Sequence, residues 1–121
     1  NVRRVIALYF AGDIGLRHGL IDYRDGDISG LLENVVYLEL RTRGYTVHVG
    51  KIDDLKIDFI AERRGKRMYI QLAYLLPDTR TIDREFAPLE KIQDNYPKFV
   101  LTFDEFQNIE RNGIYTKYLL D

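Results

Sequence analysis

Two short segments carry polar residues inside otherwise apolar runs, in an arrangement that could perform chemistry. In KIDFI, Asp58 lies between two apolar neighbours, and in YIQLAY, Gln71 lies two residues before Ala73. Both segments have the composition of β-strands, and Arg64–Gly65 supplies a turn between them. Side chains alternate along a strand, so Asp58 and Gln71 can converge if the strands pair in register. Carboxylate and carbonyl oxygens are ligands that Mg²⁺ accepts, which makes this hairpin the first candidate site.

The alternation also predicts which residues share a face of the first strand. Lys56, Asp58 and Ile60 are expected on one face of the sheet. A second set, opposite to them, is predicted to face the other way: Ile57, Phe59 and Ala61.

A helix that precedes the hairpin supplies two further acids. DISGLLENVVYLELRTRGY has apolar residues at helical period, Asp27 or Ser29 as a candidate N-cap, and Gly44 as its end. On a helical wheel Glu39 falls near the middle of the apolar face, whereas Glu33 falls at its margin. A buried, unpaired carboxylate is costly, so we expect Glu39 to be paired or hydrogen-bonded.

The remaining segments predict an α/β fold with a mixed central sheet flanked by helices. After the first helix come three strands, a second helix and a fourth strand, in the order α-β-β-β-α-β. Asp78 or Thr79 is the expected cap of the second helix, DTRTIDREFAPLEKIQDNY, which Pro88 is expected to bend or divide. Three parts remain outside this core: a strand-like lead-in over 1–11, a short helix around 14–21, and a tail of undecided type with a turn at Asn112–Gly113.

Composition limits the class of protein. The chain has 121 residues, a net charge of −1 and no cysteine, and it contains no apolar run of membrane-spanning length. We therefore expect one domain in the cytoplasm, without disulfides or a membrane partner. Because it begins at Asn1 rather than methionine, we also expect it to be a piece of a longer protein. No phosphate-loop motif is present, so any ATP would bind outside this piece.

Four basic residues crowd the turn of the hairpin although the chain as a whole is slightly acidic. Two interpretations stay open for them: a solvated turn, or a tip that contacts phosphates. The four residues are Arg63, Arg64, Lys66 and Arg67.

The element order and its landmarks resemble the PD-(D/E)xK, or restriction-endonuclease-like, superfamily. Five blocks carry a closer likeness over about 110 residues: YFAGDIGLRHGL, LLENVVYLELRTRGY, KIDFIAE, YIQLAY and KIQDNYPKFVLTFDEF. Together they look like the nuclease-like C-terminal domain of unknown function in prokaryotic AAA-type ATPases. In that family an ATP-binding module and a winged helix precede the nuclease-like domain.

The resemblance implies a degenerate site. It assigns Glu33 and Asp58 as acids that could hold Mg²⁺, puts Gln71 where the second strand acid would be, and puts Ala73 at the lysine position. Lys91 could supply a migrated ammonium group, although an exposed helix lysine is the simpler interpretation. The resemblance favours Glu33 as the site acid, with Glu39 as a structural partner of an arginine such as Arg43. The helical wheel places Glu39 further inward, so Glu39 stays open as the alternative site acid.

Three functions follow as expectations. The first is an accessory domain, inactive as a nuclease, that binds DNA or a protein partner beside its own N-terminal ATPase module. The others are an active metal-dependent nuclease and a structural assembly module, which could be a homo-oligomer. We expect residues 1–27 to be a lead-in that packs on a core formed by residues 28–121. We expect no cofactor in this piece other than a candidate Mg²⁺ ion.

Overall fold

The computed structural model describes residues 25–104 and 107–118. Two helices and six strands make up this part of the chain. In chain order they are α1 (Asp25–Thr42), β1 (Thr46–Ile52), β2 (Leu55–Arg63), β3 (Lys66–Ala73), α2 (Thr79–Glu90), β4 (Lys98–Thr102), β5 (Glu110–Arg111) and β6 (Ile114–Tyr118). The lead-in strand and short helix expected before α1 lie outside the described residues. None of the described helices is long and apolar enough to cross a membrane.

The six strands form one mixed sheet in the order β1-β2-β3-β4-β6-β5. The first three strands are antiparallel neighbours, whereas β4 lies parallel to both β3 and β6. The predicted α/β class and the order α-β-β-β-α-β are therefore confirmed. The tail, whose type the sequence left undecided, adds an antiparallel hairpin, β5–β6, turned at Asn112–Gly113 with both residues at positive φ.

Each helix covers one face of the sheet, and each face has its own hydrophobic core. The α1 face buries eight residues: Leu32, Val35, Val36, Leu40, Phe59, Ala61, Ile70 and Leu101. The α2 face buries another eight: Ile57, Tyr69, Ala73, Leu76, Phe86, Leu89, Val100 and Ile114. Neighbours in sequence, such as Val100 and Leu101, enter opposite cores, because alternate side chains point to opposite faces of a strand.

Both helices have bounds that differ from the prediction. α1 begins at Asp25, so Asp27 and Ser29 lie inside it rather than capping it. α2 is capped by the Asp78 carboxylate, which accepts the Thr81 N–H at 2.8 Å as expected.

α2 ends at Glu90, two residues after Pro88, instead of continuing as a bent or divided helix. The amides of Lys91 and Ile92 bond the carbonyls three residues back, at 3.3 and 3.2 Å. Such tighter bonds are typical of a terminating turn. Pro88 has no N–H to donate to the carbonyl four residues before it, which weakens the last turns of the helix.

The regular alternation predicted for β2 is wrong at one point. His48 pairs with Ile60 and Gly50 pairs with Ile57, so Val49 opposes both Asp58 and Phe59. This is a β-bulge. One extra residue in a strand moves the side chains that precede it to the opposite face of the sheet. Ile57 consequently packs in the α2 core with Ile60, whereas Phe59 packs in the α1 core.

Candidate functional site

The structure brings Asp58 and Gln71 together where the β2–β3 ladder of backbone hydrogen bonds stops. That ladder runs from the Arg63–Lys66 pair to the Phe59–Ile70 pair. Beyond it, the Asp58 N–H donates to Gln71 Oε1 at 2.7 Å, and the Leu72 N–H donates to Asp58 Oδ2 at 2.8 Å. Gln71 Nε2 also donates to the Lys56 carbonyl at 3.3 Å.

These side chains replace the missing ladder bonds and join the two strands. Gln71 is 4% exposed, so both ends of its amide require partners, and backbone groups of β2 supply them. The bulge at Asp58 makes the exchange necessary, because it breaks the regular register of β2. Gln71 thus acts as a structural bridge in this arrangement.

Lys56 lies between the two acids that the resemblance assigned to a metal. Its Nζ is 3.6 Å from Glu33 Oε1 on α1 and 3.6 Å from Asp58 Oδ1. The side chain of Asp58 is 14% exposed, whereas those of Glu33 and Lys56 are 42% and 60% exposed. The ammonium group therefore sits at the surface and closes the open side of the acid pair.

The groups that the resemblance assigns to a Mg²⁺ ion have other partners in this structure. Mg²⁺ takes about six oxygen ligands, several of them usually waters, at about 2.0–2.1 Å. One oxygen of Asp58 accepts a backbone N–H, Gln71 Oε1 accepts another, and an ammonium group stands between Asp58 and Glu33. Within the described ranges, no group of three or more Asp, Glu, His or Cys residues is arranged to hold a metal.

The remaining site predictions have clear positions. Ala73, at the lysine position, is 6% exposed in the α2 core. Lys91 Nζ lies 3.5 Å from Asp53 Oδ2 in the β1–β2 turn, and that pair is exposed. Glu39, 5% exposed, accepts from Arg43 Nε at 2.7 Å, which is the pairing expected for the more inward of the two helix acids.

Sequence reasoning missed two residues of this region. The position of Lys56 depends on the bulge, which turns it toward Glu33 on the α1 face. Glu85 on α2 lies near Asp58 from the other side of the sheet. Burial raises the pKa of Glu85 above its usual value, and the negative charge of Asp58 raises it further, against a lowering by Arg84. The sequence does contain one indication that Glu85 is partly buried, since it directly precedes Phe86 on the apolar face of the helix.

The basic residues of the β2–β3 turn differ in how firmly they are held. The Arg63 guanidinium lies 4.4 Å from the centre of the Tyr45 ring and donates to the Arg43 carbonyl at 2.8 Å. Arg67 pairs with Glu62 at 3.2 Å. Two others, Arg64 and Lys66, project into solvent. Arg63 therefore joins the turn to the end of α1.

One curated relative shows how this chain relates to a longer protein. The chain is 38% identical over 115 residues to an uncharacterized protein of Haemophilus influenzae (strain ATCC 51907 / DSM 11121 / KW20 / Rd). The alignment covers 95% of this chain and 28% of the relative, so the chain spans little more than a quarter of that protein. No protein-family model matches the chain, and no solved structure matches it significantly.

Proposed function

We propose that this chain is an accessory domain of a larger cytoplasmic AAA-type ATPase and binds nucleic acid without cleaving it. The observation that carries the binding is a basic surface formed by the β2–β3 turn and the end of α1. Its six members are Arg41, Arg43, Arg63, Arg64, Lys66 and Arg67.

Two features make this surface suited to phosphates. The Arg63 guanidinium donates to the Arg43 carbonyl at 2.8 Å, which joins the end of β2 to the residue that follows α1. Only two acids pair with them among the described residues, Glu39 with Arg43 and Glu62 with Arg67. A local excess of positive charge of this kind attracts a polyanion even when the net charge of the chain is slightly negative.

The region of Asp58 supports binding without catalysis. Metal-dependent phosphodiester cleavage needs an ion that activates water and stabilises negative charge. Here the hydrogen bonds of Gln71 and the ammonium group of Lys56 occupy the groups that would hold such an ion. The Gln71 hydrogen bonds have a structural role as well, since they join β2 to β3, and Lys56 joins β2 to α1 through Glu33.

Two observations support the attachment to an ATPase. The first is the resemblance of five sequence blocks to the C-terminal domain of such proteins. The second is the length of the relative, of which this chain matches 28%. In this proposal the ATPase module binds ATP and supplies the energy-driven step. The domain itself positions the nucleic acid, and self-association is compatible with this role.

The test is fluorescence anisotropy of a labelled DNA duplex at several salt concentrations. The key variant is Arg64→Gln combined with Lys66→Gln. Each phosphate contact contributes about 0.9 to the slope of log K against log salt, so we expect that slope to fall by about 2.

A matched variant, Arg80→Gln with Lys51→Gln, removes the same charge from exposed positions away from the β2–β3 turn. We expect it to bind DNA with the wild-type salt slope. Equal weakening by both variants, or no binding by the wild type at low salt, would overturn the proposed nucleic-acid function.

A further inference from the structure

A cavity of about 310 Å³ opens between the end of β3 and the first turns of α2. Its volume is at the lower end of the range for small-molecule sites. Ala73, Leu75 and Pro77 contribute apolar surface, while Thr81 and Glu85 contribute polar groups from α2. Ala73 has only a methyl group, and this leaves room beside the strand.

The cavity wall carries one partly buried carboxylate, Glu85, and one arginine, Arg84. The side chain of Glu85 is 18% exposed. Its nearest described cation, Arg84, is 72% exposed at the cavity rim, with Nε 3.6 Å from Glu85 Oε1. That distance is too long for a hydrogen bond. The Asp58 carboxylate, which is paired with Lys56 at 3.6 Å, adds a second negative charge to the local potential.

We propose that this cavity binds a primary alkylammonium group, with its aliphatic stem along Ala73 and Leu75 and its ammonium at Glu85. An ammonium group would donate to the Glu85 carboxylate more closely than Arg84 does, since Arg84 Nε stays 3.6 Å from Glu85 Oε1. It would also reduce the repulsion between Glu85 and Asp58. An anion would meet that same repulsion, and a neutral apolar molecule would leave the Glu85 carboxylate further desolvated.

The chemistry fits two sources, a lysine side chain of a partner protein and a free amine. Both present a hydrocarbon stem that ends in three N–H donors. A divalent cation is a poorer match, because Glu85 is the only carboxylate among the residues that line this cavity. The inference does not rest on nucleic-acid binding, since the basic surface lies at the opposite end of β2 and β3.

The experiment is an NMR titration of the folded chain with n-butylammonium chloride. We expect saturable shifts of the Ala73 methyl and the Glu85 carboxyl carbon, and a decrease in the pKa of Glu85. In Glu85→Gln the affinity should fall roughly tenfold or more, as expected for loss of a charged hydrogen-bond partner. Asp54→Asn, which removes an acid that is 95% exposed in the β1–β2 turn, should bind as the wild type does.

Titrations with further ligands distinguish a lysine side chain of a partner protein from a free amine, and they control for non-specific binding. Tighter binding of Nα-acetyl-lysine methylamide than of spermidine would indicate a protein partner, and the reverse order a free amine. Tetramethylammonium, which lacks N–H donors, should bind more weakly than n-butylammonium. Equal shifts from it, no saturable shift at Ala73, or unchanged affinity in Glu85→Gln would overturn the proposal.

Ala73→Lys provides an independent check, because the chain itself then supplies the ammonium group. We expect this variant to have a lower pKa at Glu85 and no response to n-butylammonium. A folded Ala73→Lys variant with an unchanged pKa at Glu85 would contradict the proposed site.

Discussion

Replacement of Gln71 by methionine tests whether the residue at the signature position is structural. Methionine keeps the unbranched shape of glutamine but cannot bond to β2. The change leaves the Asp58 N–H, which now donates at 2.7 Å, without its acceptor. It also removes the longer 3.3 Å bond to the carbonyl of Lys56, a residue exposed enough for water to replace that donor.

The expected loss of stability follows from these two bonds. An orphaned, partly buried amide costs about 1–3 kcal/mol, and the longer bond contributes about 0.5 kcal/mol. We therefore expect the free energy of unfolding to fall by about 1.5–3.5 kcal/mol. At about 4 °C per kcal/mol for a domain of this size, the Tm should fall by about 6–14 °C.

The assay is urea unfolding followed by circular dichroism, with Gln93→Met as the control. Gln93 is exposed in the loop after α2, so the same chemical change there should alter stability by less than about 0.5 kcal/mol. A Gln71→Met variant as stable as the wild type would refute the bridging role of Gln71.

Three further predictions concern stability in the same assay. Glu85→Gln should stabilise the fold at neutral pH, because the raised pKa of Glu85 means that its ionised form opposes folding; the gain should vanish as the pH falls below the usual range of glutamate. A gain that persists in acid would contradict this. Asp94→Asn should cost about 1–3 kcal/mol, since Asp94 accepts from the buried Lys98 Nζ at 3.0 Å. Burial alone would raise the pKa of Asp94, but hydrogen bonds, first from Tyr69 and then from Lys98, hold it below its usual value. The Asp94 contribution should therefore be complete above the unfolded pKa and disappear as the pH falls through the lower folded pKa; a pH-independent cost would refute it. Gly50→Ala should cost about 1–3 kcal/mol, because its Cβ would lie 2.4 Å from Ile60 Cδ1 beside the bulge, and a neutral effect would show that Ile60 moves freely.

Local patterns were sufficient for much of the fold. The four-residue spacing of Glu39 and Arg43 on an amphipathic helix predicts their ion pair, which the structure contains. Strand composition likewise predicts that Asp58 and Gln71 meet across the hairpin. These features depend on neighbours in sequence or on one antiparallel pair, so periodicity alone can specify them.

Features that depend on distant partners were not predictable in this way. The bulge of β2 arises from its pairing with β1, where Val49 opposes two residues. The bulge places Lys56 beside Glu33, a contact that strict alternation of side chains along β2 does not predict. Similarly, β6 becomes a strand by pairing in parallel with the free edge of β4, a contact that its own sequence does not specify.

A cleavage assay run beside the DNA-binding assay decides whether this domain binds DNA without cutting it. Supercoiled plasmid, linear duplex and branched DNA would be incubated with the chain and Mg²⁺ or Mn²⁺, with Asp58→Ala as the control. We expect salt-sensitive binding of DNA and no cleavage by either protein. Metal-dependent cleavage that is lost in Asp58→Ala would contradict this expectation, and would make Asp58 a catalytic residue.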